Sequence, residues 1–480
     1  MKSQEESADV DVPLCVDLDG TLLRTDLLWE TLFDFLHHHP RRFPEVLVWL
    51  AKGKAHLKKR LAENTSLDVS LLPVNQPLVE WLQGQKSAGR RLILATAADE
   101  LPARRVAARF GFFDEVLASD GASNLKGRNK AVLLTSKYGG AFDYAGNAAS
   151  DWEIWRVCRR IIAVDTPRWM TRRLQHSGRL ASISIMPGNR VAVWSRALRV
   201  RQWTKNVLIF VPLIAAHKAS DMQRLEPALV CFLAFCLTAS ATYLFNDLLD
   251  LAADRVHPHN KHRPLAAGDL SIAPAAAASV ALFAAGITLA ALAATRMVTA
   301  LVVLYALASV AYSLRLKKTA LLDVYLLSGF YTLRILAGGI AGNVPLSGWF
   351  LSFSVFLFLS LGFAKRAAEL HRLAGAASPG VPERGYAATD FQPVMCFGIA
   401  SAFAASLVLC LYLQSTEVQA LYRHPVLLWA LFPICLYWLT RVWLLASRGI
   451  LREDPVGFAI ADRTTWCLVA VFAIILRMAA

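Results

Sequence analysis

The sequence predicts a chain of two different parts: an N-terminal α/β domain with a helical cap, and a C-terminal all-α integral membrane bundle. Charged residues are dense before residue 205 and sparse after it, where long apolar runs recur. A short apolar stretch, PLCVDLDGTL at 13–22, ends in two aspartates and a glycine. Such a stretch is typical of a buried strand that enters a turn.

We divide the 480 residues into an α/β domain over 1–180, with the cap at about 25–89, a basic linker over 181–205 and a transmembrane domain over 206–480. Between residues 156 and 205 there are twelve Lys and Arg residues and one acid, Asp165. A segment of this kind is attracted to anionic lipid headgroups. No aromatic-basic motif accompanies it, so we expect membrane lipids as partners and no nucleic acid.

Nine apolar runs are candidates for membrane spans, because a helix needs about 20 residues to cross a hydrocarbon core about 30 Å thick. They lie near 206–218, 226–247, 271–294, 297–314, 320–341, 346–364, 391–413, 425–446 and 464–479. The first is the shortest.

The charges beside these runs predict an orientation. The N-terminus, MKSQEESADVDVP, is acidic and has no signal peptide, so we expect the N-terminal domain to stay in the cytoplasm. The loops then placed inside are rich in bases, such as Arg315, Lys317 and Lys318, as the positive-inside rule requires. The expected location is the inner (cytoplasmic) membrane, with the C-terminus outside.

Asp17 and Asp19 stand two residues apart at the end of the first predicted strand. They form a compact anionic pocket in which a cation and a phosphate can meet. A second apolar strand, RLILATA, delivers the hydroxyl of Thr96. The stretch NLKGRNKAVLL then offers Lys130, with Lys126 as the second choice, to neutralise phosphate oxygens.

In this order, over about 11–165, these motifs resemble the haloacid dehalogenase (HAD) superfamily of phosphohydrolases, which implies a Rossmann-like fold. The resemblance implies that Asp17 is the nucleophile and that Asp19 protonates the leaving oxygen and then activates water. It assigns Thr96 and Lys130 to phosphate binding.

The helical insert after Thr25 resembles the cap of this superfamily. Its basic cluster faces an anionic substrate or lipid, or is a solvated helix face: Lys52, Lys54, Lys58, Lys59 and Arg60.

The last motif of the superfamily departs from its usual pattern here. In FDYAGNAASD, Asn147 stands where a metal-binding aspartate is expected, and Asp151 is retained. The resemblance implies Mg²⁺ at Asp17, Asp19, Asn147 and Asp151, with one charge fewer than usual. The N-terminal α/β domain, called the head below, is then a weakened, a selective or an inactive phosphatase.

Three acids and one amide lie at and just beyond the end of the second apolar run: Asn246, Asp247, Asp250 and Asp254. The three aspartates are spaced i, i+3 and i+7, which places them on one face of a helix that continues from the span. Carboxylates so placed repel each other unless a cation lies between them, and Mg²⁺ held by carboxylates typically also binds substrate phosphates. Lys261 and Arg263 can take the remaining diphosphate charge.

The pattern NDxxDxxxD with HPxxxxRP behind it resembles the UbiA superfamily of intramembrane transferases, over about 195–480. In that superfamily a metal-bound diphosphate leaves from an electrophilic carbon. Many members carry a second acidic cluster, and here YSLRLKKTALLDVYLLSGFYTLRILAGG supplies one acid, Asp323, as a further metal ligand. The same stretch offers Tyr312, Lys317 and Arg334 for substrate binding.

The excess of bases resembles one branch of this superfamily, which moves phosphoribose from phosphoribosyl pyrophosphate to a polyprenyl phosphate. Lys205 and Asn206 in LRVRQWTKN, and Lys365 and Arg366 in FAKRAAELHRL, match its phosphate-binding positions. We expect a Mg²⁺-dependent transferase, whose fused head removes the 5-phosphate of the lipid product. The alternative is a prenyltransferase that joins a prenyl diphosphate to an aromatic or other small acceptor, with a regulatory or sensor head.

Overall fold

The computed structural model describes residues 10–121, 123–184, 189–293, 295–374, 385–451 and 455–480. The chain folds as two compact units. The first comprises Met1–Leu198 and Tyr243–Ser279, and the second comprises Arg199–Thr242 and Val280–Ala480. The acidic group around Asp247 thus belongs to the first unit, together with the N-terminal domain.

A parallel sheet forms the centre of the first unit. Its strands are β1 (Leu14–Val16), β2 (Leu92–Asp99), β3 (Glu115–Ser119), β4 (Asp143–Gly146), β5 (Ile161–Val164) and β6 (Leu180–Ser184). They pair in the order β3-β2-β1-β4-β5-β6, and every neighbouring pair is parallel. The direction of the order reverses between β1 and β4. In α/β sheets, ligands bind beyond the carboxyl ends of the strands at such a reversal.

Nine α-helices lie among the described residues between β1 and residue 198. They are α1 (Leu27–His38), α2 (Phe43–Ala51), α3 (Lys54–Asn64), α4 (Gln76–Ser87), α5 (Glu100–Phe110), α6 (Arg128–Tyr138), α7 (Trp152–Trp155), α8 (Arg168–Gln175) and α9 (Arg190–Ala197). Successive residues of β2 point to opposite faces of the sheet. Accordingly, Leu94 packs in a cluster with Val106, whereas Ile93 packs in another cluster with Leu134. Both faces of the sheet are therefore buried.

The first three helices have a small core of their own. Its buried members are Phe35, Val46, Leu57 and Leu61. By contrast, α4 packs through Leu82 into a cluster of the sheet. The insert predicted at about 25–89 therefore consists of a three-helix cap, α1 to α3, and one helix of the α/β layer.

The described residues after α9 contain helices and no strands. The α-helices are α10 (Val211–Ala215), α11 (Met222–Leu249), α12 (Leu251–Val256), α13 (Ile272–Ala293), α14 (Arg296–Leu314), α15 (Leu322–Ala341), α16 (Gly348–Ala374), α17 (Phe391–Leu413), α18 (Thr416–Leu421), α19 (Leu431–Ser447), α20 (Pro455–Ala461) and α21 (Arg463–Ala479). Seven segments among the described residues are long and apolar enough to cross a membrane: α11, α13 to α17, and Pro425–Ser447.

The prediction of nine spans is wrong for two of the runs. The run at 206–218 folds as the end of a 3-10 helix, Val200–Phe210, followed by the five-residue α10. The run at 464–479 forms α21, whose 17 residues are about 25 Å long, against a hydrocarbon core of about 30 Å. Apolar composition alone did not reveal that the first run is broken or that the last is short.

In the second unit, α15 packs closely against the 3-10 helix. A methyl group on Gly338 would overlap the main-chain oxygen of Ile209. A main-chain atom cannot move aside as the end of a flexible side chain can. We expect Gly338→Ala to lower the melting temperature by about 5 °C, because overpacking costs about 1–3 kcal/mol. Gly329 lies on the same helix and has no described atom within 4 Å of such a methyl group, so Gly329→Ala is the matched control. Equal melting temperatures of the two variants in nanodiscs would contradict this packing.

Candidate functional site

The first candidate site lies where β1 ends. Lys130 of α6 donates to Asp17 Oδ1 at 2.7 Å and to the hydroxyl of Tyr144 at 2.9 Å. All three side chains are buried. Burial raises the pKa of Asp17 to about 6, and the nearby charge of Lys130 opposes that rise. The structure thus brings together Asp17 and Lys130. It adds Tyr144, whose place in an apolar strand gave no sign of this contact.

Two further side chains predicted for this site lie at the same edge of the sheet. Asp19 Oδ1 accepts a hydrogen bond from the amide of Leu27 at 2.9 Å, at the start of α1. Burial raises the pKa of Asp19 well above its usual range. Thr96 is buried in β2, beside β1, and its hydroxyl accepts from the amide of Ala98 at 3.0 Å. A carboxyl with a raised pKa can carry a proton near neutral pH.

The loop after β4 is organised by Asp151. Its Oδ2 accepts from the amides of Asn147 at 3.1 Å and Ala148 at 3.0 Å, and its Oδ1 accepts from Tyr144 at 3.0 Å. This loop touches the turn after β1: Gly20 has φ +76°, and any side chain there would meet the amide group of Asn147. Only glycine fits such a conformation and contact without strain.

Asn147 is the side chain that best fits a cation at this site. Its Oδ1 is buried and has no hydrogen-bond partner among the described residues, although a buried polar atom normally has one. No three His, Cys, Asp or Glu side chains of the described residues form a ready-made metal cluster. Mg²⁺ commonly uses one or two carboxylates and keeps several waters. The carboxylate of Asp17 and the unpartnered oxygen of Asn147 therefore have the chemistry of Mg²⁺ ligands.

Of the basic cluster in the cap, Lys58 reaches this site. It donates to Asn124 Oδ1 at 3.2 Å and to the carbonyl of Ala97, next to Thr96. Burial lowers the pKa of Lys58, and the nearby charge of Asp19 opposes that shift. Lys52, Lys54 and Lys126 are exposed. Lys58 thus adds a cap-derived cation that the sequence had not distinguished from its neighbours.

The acidic segment, residues 246–254, forms the second candidate site. The predicted continuous helix face is interrupted, because α11 ends at Leu249 and α12 begins at Leu251 with Asp250 as its N-cap. Asn246 donates to Asp250 Oδ2 at 2.9 Å. Arg263 donates to Asp247 Oδ1 at 3.2 Å and to Asp254 Oδ2 at 2.6 Å. Asp247 and Asp254 therefore do share a side of the segment, as the spacing predicted, whereas Asp250 pairs with Asn246.

The chemistry of the acidic segment fits a hard cation. Its acceptors are carboxylate and amide oxygens, and Asp247 and Asp254 are buried. The guanidinium between these two carboxylates shows that they need positive charge close by. Asn260 also donates to Asp254 at 2.9 Å, and Lys261 is exposed. The side chains that could hold Mg²⁺ here are Asn246, Asp247, Asp250 and Asp254.

In the second unit, Arg334 of α15 is a buried cation held by neutral groups. It donates to Asn206 Oδ1 at 2.6 Å, to the carbonyl of Phe330 at 2.6 Å and to the hydroxyl of Tyr305 at 3.0 Å. No described carboxylate pairs with it. The amine of Lys205 lies 5.9 Å from the ring centre of Tyr331. Asn206, predicted to contact substrate, here orients Arg334.

Asp323 and Arg366 form a second buried group in the same unit. Arg366 Nε donates to Asp323 Oδ2 at 2.5 Å, and Tyr386 donates to Asp323 Oδ1 at 2.7 Å. Arg366 also pairs with Glu369. Its Nη2 is buried and has no partner among the described residues. Asp323, predicted as a metal ligand, therefore has both carboxylate oxygens in hydrogen bonds, and Nη2 of Arg366 can still donate.

Three other side chains predicted to bind substrate are half-buried: Tyr312, Lys317 and Lys365.

The sequence is similar to a known protein family and to several known proteins. A model of the UbiA prenyltransferase family matches residues 207–460. The uncharacterized protein y4nM of Sinorhizobium fredii is 37% identical over 467 residues, which are 97% of this chain and 90% of that protein. A decaprenyl-phosphate phosphoribosyltransferase of Corynebacterium glutamicum is 40% identical over 186 residues, which are 38% of this chain and 56% of that enzyme.

One solved structure is that of a UbiA homologue from Archaeoglobus fulgidus bound to DMAPP and Mg²⁺. It covers 59% of this chain and 96% of its own, at 16% identity and a TM-score of 0.46. The residues that match the family model make up more than half of this chain, and seven apolar helices accompany them. The chain is an integral membrane protein and belongs to the UbiA prenyltransferase family.

Proposed function

We propose that the membrane part of this chain transfers phosphoribose from phosphoribosyl pyrophosphate to a polyprenyl phosphate. The observation that carries the proposal is the excess of buried bases over acids in the described part of the second unit. There, Arg334 has no carboxylate partner among the described residues, Arg366 Nη2 donates to no described acceptor, and the carboxylate of Asp323 is already engaged. Such bases suit substrates with several phosphate groups. The similarity to decaprenyl-phosphate phosphoribosyltransferase over 56% of that enzyme's length supports the same choice.

The acidic segment would hold Mg²⁺ through Asn246, Asp247, Asp250 and Asp254. When bound, Mg²⁺ neutralises charge on the diphosphate leaving group. The lipid phosphate oxygen forms a bond to the anomeric carbon while the bond from that carbon to diphosphate breaks, and diphosphate leaves with the electron pair. Arg334 and Arg366, with Lys205, Tyr312, Lys317 and Lys365, are assigned to substrate binding. The protein contributes positioning and charge stabilisation.

For the N-terminal domain we propose a phosphomonoesterase of the HAD superfamily. An oxygen of Asp17 forms a bond to phosphorus while the bond from phosphorus to the alcohol oxygen breaks, and Asp19 gives that oxygen its proton. Asp19 then takes a proton from a water molecule that attacks the same phosphorus, the bond from phosphorus to Asp17 breaks, and inorganic phosphate leaves. Lys130 and Thr96 donate to phosphate oxygens. The buried contact of Lys130 with Asp17 and the reversal of strand order beside β1 support these roles. Asn147, with Asp17, Asp19 and Asp151 around it, would hold Mg²⁺, which supplies positive charge against the phosphate.

The two activities fit one sequence of steps. The transferase product, a polyprenyl-phosphoryl ribose, still carries a 5-phosphate, which a phosphomonoesterase can remove. We propose that the domain with Asp17 acts on this lipid in the cytoplasm, and that the chain lies in the inner (cytoplasmic) membrane. The basic residues between 156 and 205 support a position at anionic lipid.

A direct assay tests the transferase. Purified protein with Mg²⁺, labelled phosphoribosyl pyrophosphate and polyprenyl phosphate should yield a labelled pentosyl lipid. Reaction only with a prenyl diphosphate and an aromatic acceptor would select the prenyltransferase alternative. Omission of polyprenyl phosphate is the control, because hydrolysis of the donor alone would release label without forming lipid.

Lys58 provides a prediction for the phosphatase. We expect Lys58→Met to raise KM for a soluble phosphate monoester about tenfold and to change kcat little, since this cation of the cap adds to substrate binding more than to the chemical step. The control is Lys52→Met, because Lys52 is exposed in the same cap. A fall in kcat with unchanged KM would contradict a binding role.

A further inference from the structure

A buried ion pair joins the cap to the acidic segment inside the first unit. Arg255 of α12 donates to both oxygens of Glu30 in α1, at 2.6 and 3.0 Å. The side chain of Glu30 is 2% exposed and that of Arg255 is 6% exposed. A two-point contact between a guanidinium and a carboxylate fixes both position and orientation. Because both charges are removed from water, neither can lose its partner without a large cost.

A second contact holds the other end of the loop that follows the acidic segment. Arg24 donates to Asp269 at 2.8 Å, and its amide donates to the carbonyl of Pro73. Gly268, with φ +74°, packs so closely that a methyl group there would lie 2.7 Å from Arg24 Cβ and 3.1 Å from Pro73 Cγ. The loop from α12 to Asp269 is therefore fixed at two points on the N-terminal domain.

The ion pair also continues towards the aspartates at the end of β1. Gly20, the residue after Asp19, donates its amide to the carbonyl of Thr25 at 3.1 Å. The hydroxyl of Thr25 donates to Glu30 Oε1 at 2.5 Å. Arg255 then binds Glu30, and it follows Asp254 directly in the chain. Hydrogen bonds through Thr25 and Glu30 thus connect the turn of Asp19 with Arg255, the chain neighbour of Asp254.

We infer that Glu30, although it lies in the N-terminal domain, is a positioning residue for the transferase: it holds Asp254 and the acidic segment in place through Arg255. The inference rests on the proposed role of this segment in binding Mg²⁺ and diphosphate. When Glu30 is neutral, Arg255 is left buried without its counter-charge, and α12 must move to hydrate it. That movement displaces Asp254, the neighbouring residue, and weakens the cation site.

Glu30→Gln tests the inference, because it keeps the size of the side chain and removes the charge. We expect the Mg²⁺ concentration for half-maximal transfer to rise about tenfold and kcat at saturating Mg²⁺ to fall less. Amide hydrogen exchange of Leu251–Val256 should accelerate, and the affinity for Mn²⁺, measured by electron paramagnetic resonance, should fall. Glu45→Gln is the matched control, since Glu45 forms an exposed pair with Arg42 in the same cap.

The double variant Glu30→Gln with Arg255→Met separates positioning from general damage. With both buried charges removed, α12 no longer needs hydration, so exchange and Mn²⁺ affinity should return most of the way to the wild-type values. Faster exchange with unchanged Mg²⁺ and Mn²⁺ dependence would overturn the inference, and so would no change in exchange. If the wild type transfers no phosphoribose, the proposed function fails, whereas exchange and Mn²⁺ binding still decide whether Glu30 positions the segment.

Discussion

Asp247→Asn should reduce phosphoribosyl transfer by about a thousandfold. Asparagine keeps the shape of the side chain but removes one of the two buried negative charges that Arg263 bridges. A Mg²⁺ ion prefers anionic oxygen, and charge stabilisation of the leaving group commonly contributes most of the rate acceleration in such a reaction. The measurement is the initial rate of labelled lipid formation, over a range of Mg²⁺ concentrations that includes saturation.

Two controls make the result on Asp247 interpretable. Asp221→Asn changes an acid at the other end of α11, where Asp221 pairs with Arg224 near the surface, and it should leave the rate within about twofold, as a surface pair contributes little. The melting temperature of Asp247→Asn shows whether the unit remains folded. A folded Asp247→Asn protein with a nearly normal rate would show that the acidic segment does not carry the reaction.

Asp17→Asn should block phosphate release and leave the transfer step active. The variant lacks the proposed nucleophile, and loss of a covalent nucleophile typically costs a factor of about 10⁴ or more in rate. We therefore expect the lipid with its 5-phosphate to accumulate, which mass spectrometry of extracted lipids detects as a gain of one phosphate. A malachite-green assay for inorganic phosphate measures the same loss independently.

The matched control for Asp17→Asn is Asp114→Asn, in the same sheet domain, where Asp114 pairs with Lys86 at the surface. It should release phosphate at the normal rate. If Asp17→Asn gives the same dephosphorylated lipid as the wild type, the domain with Asp17 is not the phosphatase, and the sensor alternative is favoured. If the wild type also releases no phosphate, the domain with Asp17 is not an active phosphatase.

Local patterns predicted much of this molecule. The short apolar strands that precede Asp17 and Asn147, and the strand that contains Thr96, lie as neighbours in the sheet, because sequence alternation and turn residues reflect strand structure directly. Seven apolar runs became long helices for a similar reason. These elements are set by residues close together in sequence.

The errors arose where distant residues decide the structure. The spacing of Asp247, Asp250 and Asp254 indicated one helix face, but the helix is interrupted at Asp250. Metal binding by Asp323 stays a prediction, and its contacts with Arg366 and Tyr386 were not predicted. Tyr144 and Tyr305 were not singled out in the sequence, since nothing in the local sequence reveals which cation a buried tyrosine will meet. A single sequence does not reveal which of these widely separated residues contact each other.

The discontinuity of the first unit has a consequence for how the protein is made. Its final part, Tyr243–Ser279, follows Met1–Leu198 only after the long apolar α11 has begun. During synthesis the N-terminal domain therefore leaves the ribosome while Arg255 and Asp269, the partners of Glu30 and Arg24, do not yet exist. The contacts of Glu30 and Arg24 with these two residues can form only after the chain beyond α11 has been made. A nascent chain arrested at residue 198 should be cut by protease in the cap more readily than the complete protein.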